Sequence, residues 1–126
     1  MKYLTIHCAA TPEGRDVKAA QINEWDKAKF GQTSYHWVVE LNGNKVRGLT
    51  DNVRGAHVGG KNTGNIGICY VGGVAKDAKT VKDTRTDAQK KALRELVDEY
   101  KKLYPGIKVM GHRDWSPYKN IDGKIT

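Results

Sequence analysis

Two histidines stand where predicted strands end, and histidine is a common zinc ligand. His7 closes the apolar part of TIHCAATPEG, and His112 follows the apolar residues Ile107 to Gly111. In sheets that are covered by helices, ligands gather beyond the carboxyl ends of the strands, so these two imidazoles can meet there. For a pair of strand-end histidines taken alone, metal binding and ordinary hydrogen bonding are both open.

The two cysteines, Cys8 and Cys69, are expected to be core residues. Side chains alternate between the faces of a strand, so Cys8 should point away from the side that His7 faces. Cys69 lies inside a continuous apolar run, where a thiol packs as a small hydrophobic group. Two cysteines are too few for a disulfide scaffold and fit a reducing compartment.

The strands that must position these residues follow from the hydrophobic pattern. Tyr3 to His7, Ile66 to Val71 and Ile107 to Gly111 are predicted as strands. The second of them is a continuous apolar run, which is typical of a strand buried on both faces, and we expect the first to lie near it. Ser34 to Gly48 is predicted as a hairpin, because Asn42-Gly43 is a strong turn signal between two short apolar segments.

Two helices are predicted. The first runs from Val17 to Phe30, with Asp16 as its N-cap and Gly31 as its stop. The second runs from Thr86 to Tyr104, and Thr86 with Gln89 forms a capping box at its start. Its predicted apolar stripe consists of Leu93, Leu96, Val97, Tyr100 and Leu103.

Length and composition limit the class of protein. The 126 residues suffice for one hydrophobic core, and residues 75 to 85 are predicted as a charged surface loop. The predicted fold class is therefore α/β (α+β), a single domain with a central mixed β-sheet flanked by helices. The net charge of +8 favours an acidic partner such as nucleic acid, an anionic cell-wall polymer or a membrane surface, but the charges are spread widely, which also fits a solvated basic surface. No nucleic-acid-binding motif accompanies them. No nucleic acid partner is expected, and no apolar run approaches the roughly 18 residues of a membrane span.

Four motifs occur in a fixed order and together indicate a family. They are IHCAATP, SYHWVV, AHVGGKNTGNIGICYVGG and GHRDWSP. In this arrangement the chain resembles the zinc-dependent N-acetylmuramoyl-L-alanine amidases of the phage-lysozyme and peptidoglycan-recognition-protein type. The resemblance covers residues 2 to about 117. It implies hydrolysis of the amide bond between N-acetylmuramic acid and L-alanine in bacterial peptidoglycan, with Zn²⁺ as the cofactor.

The resemblance also assigns roles to residues. His7 and His112 match two of the three zinc ligands, and Tyr35 matches a catalytic tyrosine that stabilises the developing oxyanion. His57 and Asn65 fall in the segment that lines the substrate groove. Lys119 lies one residue beyond the position of a second catalytic residue, the family lysine that assists at the oxyanion.

The chain departs from the family after His112. The family supplies its third zinc ligand, Cys or sometimes Asp, shortly after this histidine, whereas here GHRDWSP is followed by YKNIDGKIT. This segment resembles half of a calcium loop, but Tyr118 replaces the first Asp and the closing Glu is absent. We interpret it as a loop insertion, and we expect the chain to be cut short before its third ligand. Asp122 is a poor substitute, and Asp114 is expected to orient a neighbour through a hydrogen bond.

Two functions from different classes stay open at the level of sequence. One is a zinc amidase that lyses the bacterial cell wall, and the other is a non-catalytic relative that binds peptidoglycan or a protein through the same groove. The N-terminus MKYLTIHC lacks the apolar core of a signal peptide, so synthesis in the cytoplasm and action on the wall after release are expected. We expect a monomer.

A prediction follows from the missing ligand. The 126-residue chain should fold but bind zinc more weakly than a three-ligand site, because each lost protein ligand removes preorganisation. Extension of the chain beyond Thr126 with a loop that carries Cys should raise both zinc affinity and peptidoglycan hydrolysis. Calorimetric zinc titration of the two chains measures the difference, and tight stoichiometric zinc in the shorter chain would contradict the prediction.

Overall fold

The computed structural model describes residues 1–77, 79–111 and 114. Five strands form a mixed sheet in the order β4-β3-β5-β1-β7, two short strands form a second sheet, and two helices pack on the large sheet. In chain order the elements are β1 (Tyr3–Cys8), β2 (Thr11–Pro12), α1 (Ala19–Phe30), β3 (Trp37–Val39), β4 (Lys45–Arg47), β5 (Asn65–Tyr70), β6 (Gly73–Val74), α2 (Asp87–Leu103) and β7 (Lys108–Gly111). The predicted fold class is confirmed.

The centre of the large sheet is the parallel pair of β1 and β5. Tyr3 pairs with Asn65 and His7 pairs with Cys69, so the predicted neighbourhood of these two strands is confirmed. Strand β7 runs parallel on the other side of β1, where Gly111 pairs with Ile6. Strand β3 runs parallel to β5, and only the edge strand β4 is antiparallel.

The two faces of the sheet carry separate cores. Helix α2 covers one face, the α2 face, where Leu4, Ile66 and Ile68 pack against Leu93 and Leu96. Helix α1 covers the other face, the α1 face, with a cluster of Val17, Ala19, Ile22, Val38, Cys69 and Val71. Strand β5 is buried on both sides because it lies in the middle of this three-layer arrangement.

The predicted hairpin is confirmed as β3 and β4. Trp37 pairs with Arg47 and Val39 with Lys45, and Gly43 takes a positive φ of 86° in the connection. A side chain is costly at such a backbone angle, which is why the Asn-Gly dipeptide is an informative turn signal here.

Helix α1 begins later than predicted. Its first residue is Ala19 and its N-cap is Lys18, so the prediction of Asp16 as N-cap is wrong. The backbone N–H of Ala19 donates to the carboxylate of Glu40 at 2.8 Å, and this buried side chain from the end of β3 replaces a local cap. The C-terminal prediction holds, because Gly31 adopts the left-handed conformation with φ of 75°.

Helix α2 agrees more closely with its prediction. Thr86 is the N-cap, its hydroxyl accepts from the N–H of Gln89 at 3.0 Å, and the Gln89 side chain accepts from the N–H of Thr86 at 2.9 Å. Leu103 is the exception, since it is 58% exposed and does not belong to the buried stripe.

Residues 75 to 85, predicted as a surface loop, are partly joined to the short second sheet. Strands β2 and β6 pair in parallel, Val74 forms an isolated bridge with Val81, and the N–H of Gly73 donates to the Thr84 hydroxyl at 2.7 Å. Two-residue pairings are too short to leave a hydrophobic period, so the sequence pattern could not indicate them. Within the described ranges, no helix is long and apolar enough to cross a membrane.

Gln89 offers a test of how the helix is joined to the sheet. Its fully buried side-chain amide donates to the carbonyl oxygen of Val71 at 2.8 Å and lies 3.4 Å from that of Val39. Gln89→Leu keeps the volume but takes the donor from the buried Val71 carbonyl and the acceptor from the Thr86 N–H, so the free energy of unfolding should fall by about 1–3 kcal/mol. Urea denaturation measures the loss, with the exposed neighbour Lys90→Ala as control. A loss no larger than the control's would show that the amide contributes nothing to stability.

Candidate active site on the α1 face of the sheet

Three aromatic side chains meet on the α1 face beside strands β1 and β5. His7 comes from the end of β1, Tyr35 from the segment before β3 and His57 from the loop between β4 and β5. The ring centroids of His7 and Tyr35 are 5.3 Å apart, those of His7 and His57 are 5.0 Å apart, and those of Tyr35 and His57 are 6.2 Å apart. Residues that are 28 and 50 positions distant from His7 in sequence are thus brought into one cluster.

The two histidines of this cluster are hydrogen-bonded to each other. His7 Nε2 lies 2.9 Å from His57 Nδ1, and His57 Nε2 lies 3.0 Å from the backbone carbonyl oxygen of Asn65. A carbonyl oxygen only accepts, so the proton on His57 is assigned to Nε2. In neutral His57 the Nδ1 atom then accepts, and His7 donates from its own Nε2. In this tautomer Nδ1 of His7 carries the lone pair of the ring.

Two glycines shape the space that the His57 ring occupies. A Cβ atom on Gly67, in the middle of β5, would lie 2.6–2.8 Å from three ring atoms of His57. A Cβ atom on Gly55 would lie 2.9 Å from His57 Cδ2 and 2.4 Å from the carbonyl oxygen of Ser34. The ring therefore rests directly on the backbone of β5. A lone glycine inside an apolar strand is the sequence signal for such a close approach, and sequence reasoning missed it.

Tyr35 presents a neutral phenol to the cluster. Burial raises the pKa of Tyr35 well above its usual value, and the nearby Cys69 thiol adds to the increase. The hydroxyl therefore stays protonated at neutral pH and can donate a hydrogen bond. Burial likewise raises the pKa of Cys69 well above its ordinary range, so this cysteine is a neutral core residue, as predicted.

Asn65 and His57 are buried in the structure. Asn65 is 2% exposed; its side-chain oxygen accepts from the Thr5 hydroxyl at 2.8 Å, and its amide donates to the carbonyl of Lys61 at 2.8 Å. His57 is 5% exposed. Asn65 therefore connects the His57 ring of the cluster to Thr5 and Lys61, and the predicted role of His57 and Asn65 in lining the substrate groove stays a prediction.

His36, next to Tyr35 in sequence, has a structural role. Its Nδ1 accepts from the N–H of Gly67 at 3.0 Å, and its Nε2 donates to the carbonyl oxygen of Val53 at 2.7 Å. Burial lowers the pKa of His36, and a neutral ring is what this donor–acceptor pair requires. Its ring also lies edge-on to that of His57, with 6.1 Å between the centroids, so His36 supports the cluster from the side of β3.

The predicted ligand His112 and the predicted lysine Lys119 lie outside the described residues, as does Asp122. Asp114 is described, and its carboxylate accepts from the backbone N–H of Gly111 at 2.8 Å; its role in orienting a neighbouring side chain stays a prediction. Within residues 1–77, 79–111 and 114, no three His, Cys, Asp or Glu side chains are grouped closely enough to hold a metal ion.

Asp26 of α1 is a third titratable group with a raised pKa near this face. Burial raises its pKa to about 6, and a hydrogen bond with the Ser34 hydroxyl and the nearby Lys29 oppose the increase. Asp26 also contributes to the raised pKa of Tyr35, which indicates that its charge is felt at the cluster.

This shift predicts a pH dependence of stability. The folded state holds the Asp26 proton more tightly than the unfolded state, so the free energy of unfolding should fall as pH rises from about 4 to about 6. Since the group is partly exposed, the fall should be on the order of 1 kcal/mol. Asp26→Asn should remove this component from urea denaturation curves, whereas exposed Asp16→Asn should retain it. Parallel pH profiles for wild type and Asp26→Asn would contradict the assignment.

Comparison with known proteins identifies what the chain is similar to. The profile of the Amidase_2 family, described as N-acetylmuramoyl-L-alanine amidase, matches residues 1–124. The endolysin of Klebsiella phage KP32 is 36% identical over 114 residues, which span 89% of this chain and 74% of the endolysin. Peptidoglycan-recognition protein SD of Drosophila simulans is 33% identical over 100 residues, covering 79% of this chain and 52% of that protein. The solved structure of the Ph2119 endolysin, from a Thermus scotoductus bacteriophage, superposes with a TM-score of 0.75 at 22% identity and covers 94% of this chain and 77% of that one.

Proposed function

Because this chain belongs to the N-acetylmuramoyl-L-alanine amidase family, we propose that it hydrolyses the amide bond between N-acetylmuramic acid and L-alanine in bacterial peptidoglycan. The observation that carries the proposal is the cluster on the α1 face, where a neutral phenol and an imidazole lie 5.3 Å apart between ring centroids. An imidazole that can bind a metal and a phenol that can donate to an oxyanion are the two groups such a hydrolysis needs.

We propose zinc as the cofactor, with His7 and His112 as two of its ligands. Zinc binds the lone pair of a neutral imidazole, and His7 offers one at Nδ1 when Nε2 donates to His57. Gly111, which precedes His112 in sequence, pairs with Ile6, which precedes His7. This register of the described residues supports the proposal that both histidines bind one zinc ion. The third protein ligand is not identified. When bound, zinc lowers the pKa of a water molecule to about 7 and polarises the scissile carbonyl group.

The protein's own residues then bind and orient the substrate. The Tyr35 hydroxyl, kept protonated by burial, donates a hydrogen bond to the carbonyl oxygen as negative charge builds up on it. Lys119 is proposed to assist at the same oxygen. His57 and Asn65 support the floor of the groove from beneath the cluster. The net charge of +8 favours approach to an anionic cell wall, where the reaction would take place.

A non-catalytic role is the second candidate. The similarity to peptidoglycan-recognition protein SD favours it. In that case the chain would bind peptidoglycan, or a protein partner, without cleaving it. Retention of metal-free protein on insoluble peptidoglycan, with no release of amino ends in excess zinc, would favour this candidate over the amidase.

The decisive assay is the release of new amino ends. Purified peptidoglycan is incubated with the full chain in excess zinc, and the N-terminal L-alanine that appears is labelled and quantified. We expect release that a chelator abolishes and that added zinc restores. No release above the chelator control from a folded, zinc-saturated chain would contradict the proposed activity.

Tyr35→Phe separates catalysis from metal binding. Loss of one oxyanion donor should lower kcat/KM by about 10²- to 10³-fold and leave zinc affinity unchanged, since the hydroxyl acts on the substrate. The matched control is Tyr70→Phe, because Tyr70 lies in the same sheet but packs with the core of the α2 face. Unchanged turnover in Tyr35→Phe would reduce Tyr35 to a packing residue.

A further inference from the structure

Both ring nitrogens of His57 are in hydrogen-bond contact, and its ring packs against the backbone of β5. We propose that His57 is a positioning residue that fixes His7 in its Nε2–H tautomer and so directs the Nδ1 lone pair of His7 to the metal. The metal part of this inference rests on the proposed function, whereas the tautomer of His7 can be tested without it.

The first step concerns the direction of the hydrogen bonds. The Asn65 carbonyl oxygen lies 3.0 Å from His57 Nε2 and can only accept, which leaves Nδ1 of the neutral ring as an acceptor. Nε2 of His7 lies 2.9 Å from that acceptor. A proton at Nε2 makes this contact favourable, whereas a proton at His7 Nδ1 would set two lone pairs against each other. The backbone carbonyl of Asn65 thus determines the tautomer of His7 through His57.

The second step concerns the rigidity of His57. Its backbone N–H and that of Val58 both donate to the side-chain oxygen of Asn62, at 2.9 Å and 2.8 Å. Its ring rests on Gly67, where any Cβ atom would come within 2.8 Å of three ring atoms. The ring therefore cannot move closer to β5, and the Asn62 hydrogen bonds fix the backbone that carries it. Such a fixed acceptor is what an orienting partner of a metal-binding histidine requires.

The third step concerns burial. His7 is 4% exposed and His57 is 5% exposed, so water cannot readily take the place of either hydrogen-bond partner. A buried imidazole that loses its acceptor also loses the preference for one tautomer, and the metal must then select the binding-competent form. Replacement of an orienting partner of this kind lowers metal affinity by about 10- to 100-fold.

The test uses the full, metal-free chain at a pH well above the usual histidine pKa of about 6.5. Long-range ¹H–¹⁵N correlation spectra distinguish protonated from unprotonated ring nitrogens, and only four histidines must be assigned. We expect His7 to be protonated at Nε2, with its proton in slow exchange with water. Protonation at Nδ1 in the wild-type chain would overturn the inference. Because this measurement uses the wild-type chain, it does not depend on a variant that might fail to fold.

Variants then test whether His57 is the cause. In His57→Phe, and in Gly67→Ala, which displaces the ring, the Nε2–H population of His7 should fall and its exchange with water should become fast. The matched control is Thr5→Val, on the same strand and face as His7, which removes the hydroxyl bound to Asn65 Oδ1 but leaves His57 in place. An unchanged His7 tautomer in folded His57→Phe, or an equal change in Thr5→Val, would overturn the inference.

Zinc affinity supplies the second readout. Calorimetric titration should show a 10- to 100-fold weaker zinc complex for His57→Phe than for Thr5→Val. Equal affinities in the two variants would overturn the metal part of the inference. If the wild-type chain shows the expected tautomer but releases no amino ends, the proposed function fails while the assignment of His57 stands.

Discussion

The parallel register between β1 and β5 is the constraint on which the site depends. With Tyr3 opposite Asn65 and His7 opposite Cys69, the side chains of Thr5 and His7 share a face with Gly67. A slip of one residue would turn His7 toward the α2 face and bring Cys8 into its place. Because the α2 face is a tightly packed apolar core, such a slip would also bury the wrong set of side chains. The hydrophobic pattern of β1 therefore secures the position of His7.

The two faces of the large sheet differ in the kinds of side chains that they bury. The α2 face joins Leu4, Ile66 and Ile68 of the sheet to the buried stripe of α2 mainly through apolar contacts, to which the buried Gln89 amide adds a hydrogen bond. The α1 face combines a smaller apolar cluster with several buried polar side chains, which are stable there when they are hydrogen-bonded. His36, His57 and Asn65 meet that requirement largely through backbone groups. A site made in this way is held by the fold itself, which suits a metal-binding histidine that must not change its orientation.

Much of the fold could be predicted, because the signals are local. The continuous apolar run of β5, the Asn-Gly turn and the Thr86 capping box each depend on a few neighbouring residues. The start of α1 could not be predicted, since Glu40 reaches it from the end of β3 across 21 residues. Leu103 was predicted as buried from helical periodicity, yet it is 58% exposed although Tyr104 and Ile107 beyond it still contact the core.

The site was predictable in part for a similar reason. Strand ends and family motifs indicated His7 and Tyr35, which the structure brings together. The hydrogen bond between His7 and His57, in contrast, spans 50 residues and depends on the missing side chain of Gly67. The spacing of residues in the sequence cannot predict such a long-range contact. Only the glycine within an apolar strand hinted that a ring or a backbone must approach there.

The most direct measurement is anomalous diffraction at the zinc absorption edge from crystals of the zinc-loaded chain. The account predicts a single peak on the α1 face, about 2.1 Å from Nδ1 of His7, with Nε2 of His7 still bound to His57. A peak at Nε2 of His7, with the contact to His57 broken, or a peak remote from His7 would contradict it.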